Sequence, residues 1–485
     1  MSDLLSMGLE LAVLVTGLGV LLLDLWAPAS QKRQVIYVAA AALGLIFIGS
    51  FAVLVPEPVR TFGGMFVLDE LALYFKRFFL LAALGVLIMS VECADPAEGG
   101  LAEYAALTLF ALAGMMLAAS AHHLALLFVA LELITVTFYV LTGFARRRVT
   151  SLEAGVKYLI LGALSSAFLV YGIALVFGAT GTMDFARLAG APAALLHSRL
   201  FQLGLLMVLA GLGFKLAVVP FQFWAPDVYQ GAPTPTTAFL AVGSKAAGVV
   251  LMIRLLYGAV PSLAPQWTRL LIVVAAATMI YGVLCAIPQR NLKRLLGYSS
   301  VANAGYLLLG LVTFSQAGLG AVLYYLAGYL FTLLAAFYVI SLAMRTTAAE
   351  DIGALTGLHR RSPLLAATLA LAMVSLAGIP PLAGFFGKFL LIKAALARAG
   401  AVPGLYPLVA ITLIAVVASL SYYFGVVRAL YWPGGETAAA PAEPIALSGL
   451  TRAVLVVTIV AMLWLGLAPD KVLNLAEFAV RTIAP

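Results

Sequence analysis

Apolar runs about as long as a bilayer is thick recur along this chain, each closed by a short polar or Gly/Pro-containing stretch. A helix rises about 1.5 Å per residue, so roughly twenty apolar residues cross the hydrocarbon. On that window the pattern predicts about fourteen spans: 4–26, 34–55, 71–91, 103–119, 124–144, 152–177, 200–219, 234–257, 267–287, 295–312, 319–344, 363–396 with an interruption at 378–387, 406–431 and 453–467. The first run is longer than a typical signal-peptide core and lacks a basic leader, so it is expected to remain in the mature chain. An outlying loop through Pro56, Pro58, Gly63 and Gly64 follows the second run. The polar-rich connections of any length are 179–199, 345–362 and 432–450, and none could house a separate soluble catalytic domain. The expected fold class is an all-α polytopic membrane protein.

Composition sharpens this. The 485 residues are 64% hydrophobic and only 10% charged, with mean hydropathy +1.11. A formal charge of +8 would point to nucleic acid in a soluble protein. Here the basic residues fall mostly in short loops, where they act as topology signals, and no nucleic-acid partner is expected. Odd-numbered loops hold Lys32, Arg33, Arg146, Arg147, Arg148, Arg290, Lys293, Arg294, Arg345, Arg360, Arg361, Arg428 and Arg452, and the even-numbered loops are sparser. The odd loops should therefore be cytoplasmic and both termini outside. Lys76, Arg77, Arg254 and Lys393 run against that rule. Cys93 and Cys285 are far apart, and the four histidines form no ligand set. With no dinucleotide fingerprint or haem-attachment motif either, no metal site or redox cofactor is expected in this chain.

Two of the runs are broken, and lysines lie at the breaks. Lys215 and Lys245 sit in apolar runs on either side of a proline-rich stretch. Pro220, five residues after Lys215, removes a backbone donor and crowds the carbonyl of Leu216, so the helix should loosen there. Later, SLAGIPPLAGFFGKF sets Pro380 and Pro381 among Gly378, Gly384 and Gly387 and then places Lys388, about 170 residues after Lys215. Interrupted segments of this kind mark ion paths in transporter folds and are what an internal repeat would leave, although no residue-by-residue repeat is visible.

A cation at mid-bilayer costs roughly 2.5–3.5 kcal/mol on insertion scales, so a retained one is a functional candidate. Glu132, roughly nine residues into its span, has no opposite charge at i±3 or i±4, and Lys215 is the candidate partner on another helix. Glu153 and Lys157 are spaced i,i+4, which fits either a local salt bridge or a place in a proton path. Snorkelling and static ion pairing are the structural alternatives for Glu132, Lys215, Lys245 and Lys388, and snorkelling explains Lys215 and Lys245 poorly. Lysine suits proton movement because burial lowers its proton affinity by several pKa units and an approaching carboxylate restores it. Carrying a charge against about 150 mV costs roughly 3.5 kcal/mol, a swing that burial alone can match. The chain shows no energy source of its own, so it must exchange ions or be driven by partners. His122 and His123 fit an interfacial place, Arg146–Arg147–Arg148 the topology signal, and the scattered aromatic residues lipid contact or core packing.

The stretches GFKLAVVPFQFWAPDVYQGAPTP, LKRLLGYSSVANAGY and SLAGIPPLAGFFGKF, with the glutamate-bearing fifth span, resemble the antiporter-like membrane subunits of respiratory complex I. The likeness is strong from 101 to 424 and looser over the whole chain. A lysine at 388, the PDVYQGAPTP wording and the lack of room for a long lateral helix resemble the N branch of that family, the NADH-quinone oxidoreductase subunit N type, rather than L or M. The resemblance implies fourteen helices with two inverted five-helix repeats and broken seventh and twelfth helices. It divides the chain into 1–100 (helices 1–3), 101–260 (helices 4–8), 261–432 (helices 9–13) and 433–485 (helix 14 and tail). It further implies a proton path through Glu132, Lys215, Lys245 and Lys388, with Lys157 auxiliary. The driving reaction, with NADH, FMN, iron–sulfur clusters and quinone, lies in other subunits. The implied partners are the M-type subunit, the small K- and J-type subunits and the lipid of a bacterial inner membrane. Where the family commonly has histidine, this sequence has Gln222 and Asn303, which form hydrogen bonds but cannot carry a proton as an imidazolium does. A relay through those positions would have to use water. An Mrp-type cation/proton antiporter subunit, or a non-pumping structural subunit of the membrane arm, is the competing expectation.

Overall fold

The computed structural model describes residues 2–28, 31–92, 100–344, 350–432 and 444–483; Cys93 and Arg345, and with them parts of the 345–362 and 432–450 connections, lie outside those residues. Each of the fourteen predicted runs is helical. In chain order the spans are Gly8–Trp26, Lys32–Gly49, Glu70–Glu92, Leu101–Ala119, Leu124–Thr142, Val149–Thr180, Arg199–Leu216 continued after a break by Trp224–Gly231, Thr234–Ala259, Ala264–Ala286, Leu292–Leu311, Gln316–Met344, Pro363–Ala377 continued by Ala383–Arg398, Leu405–Tyr431 and Gly449–Leu467. Among the described residues twelve helices are long and apolar enough to cross a membrane; the tenth span and the broken twelfth fall outside that set. The tenth begins with Lys293 and Arg294, and the break leaves the first half of the twelfth short.

Local chemistry sets the ends. Ser198, Asn291 and Ser448 each accept a backbone N–H in the first turn of the helix that follows, as N-cap residues do. His123 caps Leu124–Thr142 through Nδ1, which accepts from the Ala125 N–H at 3.1 Å. Several boundaries differ from the sequence pattern. The first run divides at Met7 into Ser2–Ser6 and Gly8–Trp26. The sixth helix runs on to Thr180, where Gly181 in the left-handed region closes it. The twelfth is interrupted only over 378–382. The loop with Pro56 and Gly63 forms a small antiparallel hairpin, Val59–Thr61 against Phe66–Leu68, and the tail adds the helix Asp470–Val480.

The chain divides into two compact units. The first comprises Met1–Trp224, Gly231–Leu270 and Phe478–Pro485, and the second Ala225–Gln230 and Leu271–Glu477. In the first unit the sixth and seventh spans cross closely at two glycines. A Cβ on Gly172 would sit 2.7 Å from the carbonyl oxygen of Gly204, and one on Gly204 would sit 2.9 Å from that of Gly172. Small residues let helix backbones approach in a bilayer, where the lipid tails supply no hydrophobic drive.

Candidate functional site

In the first unit the helix Arg199–Leu216 stops one residue after Lys215, with Ala217 in the left-handed region. Pro220 acts as the sequence implied: residues 217–223 are not helical, and the carbonyl of Phe214 accepts both the Ala217 N–H at 3.0 Å and the Trp224 indole N–H at 2.9 Å. The Lys215 side chain is 3% exposed. Its ammonium donates to Thr135 Oγ1 at 3.2 Å and lies 5.8 Å from the centre of the Phe138 ring. Glu132, one turn before Thr135 on the fifth span, accepts a short hydrogen bond from Ser166. The expected contact ion pair is therefore not closed. Glu132 remains near enough to act on Lys215 electrostatically, while each group holds a neutral hydroxyl partner.

Lys245, also 3% exposed, opens the α-helical segment Lys245–Ile253 of the eighth span. Wider π-helical turns, Leu240–Ser244 and Arg254–Ala259, flank that segment. Such turns leave the backbone ladder locally loosened and recur at functional sites. Glu153 and Lys157 form the expected i,i+4 pair at 2.7 Å, on an exposed face of the sixth helix.

The second unit treats its lysine differently. Lys388, 5% exposed, donates to the carbonyl of Leu376 at 2.6 Å, and its ammonium lies 5.0 Å from the centre of the Tyr306 ring. Leu376 belongs to the last turn of Pro363–Ala377, whose carbonyls have no intrahelical donor. A cation there meets both an orphan carbonyl and the negative end of the helix dipole. Gly378 makes the geometry available: it turns at φ 84°, and a Cβ on it would sit 3.0 Å from Lys388 Cδ. Neither Lys215 nor Lys388 has a carboxylate in contact among the described residues.

The two positions that depart from the family histidines are both buried. Gln222 lies in the break of the seventh span, and its side-chain oxygen accepts no hydrogen bond among the described residues. Asn303 is fully engaged: Nδ2 donates to the Ser299 carbonyl at 2.8 Å, and Oδ1 accepts a short bond from the Tyr325 hydroxyl.

Sequence reasoning missed two sets of residues. Three of the four cations that ran against the topology rule are held locally. Lys76 pairs with Glu10 at 2.7 Å with both side chains buried, and Arg254 makes a two-armed pair with Asp69 at 2.6 Å on each arm and donates to the Ala119 carbonyl. Arg77 donates to the Ser50 carbonyl at 3.0 Å and stacks over Phe51. The carboxylate partners of Lys76 and Arg254 lie far away in sequence, so spacing carried no sign of them. The second set is a cluster of buried tyrosines in the second unit, whose only sequence signal is the helical spacing of Ser299, Asn303 and Tyr306 and of Tyr325 and Tyr329. Among the described residues no group of three His, Cys, Asp or Glu side chains is placed to hold a metal ion.

Broken helices and buried lysines define a polytopic membrane protein of the antiporter-like class. Residues 121–421 match the family described as NADH:quinone oxidoreductase/Mrp antiporter, TM. A relative from Moorella thermoacetica, named NADH-quinone oxidoreductase subunit N, is 40% identical over 98% of both chains. Among solved structures, a chain of respiratory complex I from Thermus thermophilus superposes with TM-score 0.81 at 35% identity, covering 97% of this chain and 99% of that one. A chain of the Mrp complex from Dietzia sp. gives TM-score 0.83 at 25% identity, with 99% and 97% covered. The chain belongs to the NADH-quinone oxidoreductase subunit N family.

Proposed function

We propose that this chain is a membrane-arm subunit of a complex I-type NADH:quinone oxidoreductase and that it carries protons across the membrane. Glu132, Lys215, Lys245 and Lys388 are the carriers and Lys157 is an auxiliary. The observation that supports this most directly is the state of the lysines: three ammonium-bearing side chains at helix ends or beside loosened turns, each no more than 5% exposed. Static pairing would place a carboxylate against Lys215 and Lys388, whereas they hold Thr135 and a backbone carbonyl, partners that let a proton leave without stranding a counter-ion. Two five-helix repeats, 101–260 and 261–432, would each contribute one broken helix to the path. Redox chemistry and its cofactors, NADH, FMN, iron–sulfur clusters and quinone, belong to other subunits. The chain's neighbours would be the M-type subunit and the small K- and J-type subunits in a bacterial inner membrane. Its odd-numbered loops would be cytoplasmic and its termini outside. Similarity to the subunit N relative and to the respiratory complex I chain exceeds that to the Mrp chain, 40% and 35% identity against 25%, which favours a redox-driven complex over an antiporter.

The test is proton pumping measured alongside NADH–quinone turnover in sealed vesicles that carry the intact complex, with Lys215→Ala, Glu132→Ala or Lys388→Ala and assembly verified. A positioned proton-transfer group is worth about 10²–10⁴ in rate, so pumping and coupled turnover should fall together by about tenfold or more. Wild-type pumping in all three variants would leave the lysines a structural role only.

A further inference from the structure

The second unit contains buried polar groups that the lysine path does not use. Ser299, Asn303 and Tyr306 lie along one face of Leu292–Leu311, and Tyr325 and Tyr329 along one face of Gln316–Met344, their rings stacked with centroids 6.0 Å apart. Tyr423, from Leu405–Tyr431, shares a hydrogen bond with Ser299, and Tyr229 shares one with Ser300 at 2.9 Å. The phenol groups of Tyr306, Tyr325, Tyr329 and Tyr423 are close enough to interact electrostatically. One of them is conspicuous: the hydroxyl of Tyr306 is buried and makes no hydrogen bond among the described residues. A buried hydroxyl without a partner keeps the full cost of its lost hydration, so such a group inside a polar cluster points to bound water.

Asn303 decides what this cluster can do. A hydroxyl both donates and accepts, so it can take a proton on one side as it releases its own on the other. An amide divides those roles between two atoms. Asn303 accepts from Tyr325 through Oδ1 and donates to the Ser299 hydroxyl through Nδ2 at 3.3 Å, so the continuous string from Tyr325 to Tyr423 is cut for protons at its middle. The free hydroxyl of Tyr306 stands three residues further along the same helix face, its ring against the ammonium of Lys388.

We infer that Tyr306, with water bound between it and the neighbouring phenols, passes protons between Lys388 and the Tyr423–Ser299 pair around Asn303. The inference rests on the proposed role of Lys388. In each transfer a hydroxyl gives its proton to the next oxygen while accepting one from the last. No phenol stays charged: a proton that Lys388 loses is handed on to water beyond the Tyr423–Ser299 pair, and one that Lys388 gains enters from that water.

Tyr306→Phe is the informative change, since it keeps the ring against Lys388 and removes only the hydroxyl. Measured in sealed vesicles with the intact complex, pumping should fall by about tenfold and recover to within about twofold of wild type in the Tyr306→Phe/Asn303→His double variant, because an imidazole can carry the proton directly. A merely structural tyrosine would not be rescued by a substitution at a different residue. Wild-type pumping in Tyr306→Phe, or a loss that Asn303→His leaves unrepaired, overturns the relay. If Tyr306→Phe fails to assemble, Tyr423→Phe removes the hydroxyl at the other end of the relay, and normal pumping in that variant overturns it as well. Loss in Lys388→Ala with normal pumping in Tyr306→Phe would remove the relay and keep the lysine path, whereas normal pumping in Lys388→Ala would remove both.

Discussion

At the scale of single residues, buried polar groups here are held by local partners of unequal strength, and His122 shows what an unequal balance does. It lies between the fourth and fifth spans with its ring against Phe185 at 5.6 Å, and Nε2 has no hydrogen-bond partner among the described residues. Burial, helped by the nearby Arg60 and Arg254 charges and opposed by Asp184 and Asp69, pushes its pKa from 6.5 down to about 4. The folded chain therefore keeps this ring neutral while the unfolded chain protonates it. The unfolded state binds more protons between those two values, so stability is intact above about pH 6.5 and declines as pH falls toward about 4. His122→Asn, which cannot titrate, should flatten that decline, as read by thermal unfolding of the detergent-purified protein at pH 7 and pH 5. An equal drop in variant and wild type would mean that other groups set the acid limit.

At the scale of elements, the spans were legible because length and hydropathy alone define a helix that must satisfy every backbone group internally. The break after Lys215 was legible too, since Pro220 forbids the helix that would pass through it. What the sequence hid were contacts between segments remote in the chain. Glu10 reads as one more polar residue in a first helix, and nothing at that position announces Lys76, sixty-six places on. The Glu132–Lys215 pairing was legible as a proximity and not as a geometry, because only packing decides that Ser166 and Thr135 come between them. Gly204 was equally silent: its role depends on the sixth helix crossing the seventh at Gly172. Gly204→Leu should force those helices apart and destabilise the protein by about 1–3 kcal/mol, the usual range for overpacking. Denaturant unfolding in mixed micelles checks this, and a change below about 0.5 kcal/mol, the scale of a neutral surface substitution, would show that the crossing is not tight.

At the scale of the whole molecule, the first three spans must be fastened to the part of the chain that bears the lysines, and apolar faces in a lipid solvent do that weakly. Two buried ion pairs supply the fastening within the first unit: Glu10 to Lys76 joins the first span to the third, and Asp69 to Arg254 joins the start of the third to the end of the eighth. Burial by itself would push the Asp69 carboxyl up, but the Arg254 guanidinium and the N–H of Ala72 outweigh it and hold the group below the usual carboxylate range. Asp69 thus stays charged in the folded protein at neutral pH. Removing one partner leaves the other charge buried alone, which costs about 3–5 kcal/mol, whereas replacing both with apolar residues of similar volume is often close to neutral. Asp69→Leu should therefore lower the stability of the complex by that amount, and Asp69→Leu/Arg254→Met should recover most of it, short of the bonds Arg254 makes to the Ala119 carbonyl. Thermal unfolding of the four members of that cycle separates the possibilities. A double variant as unstable as Asp69→Leu would mean that the loss comes from the missing pair itself and not from an uncompensated Arg254 charge. An Asp69→Leu variant as stable as wild type would mean that the third span is held by its packing and that the ion pair is incidental to the unit.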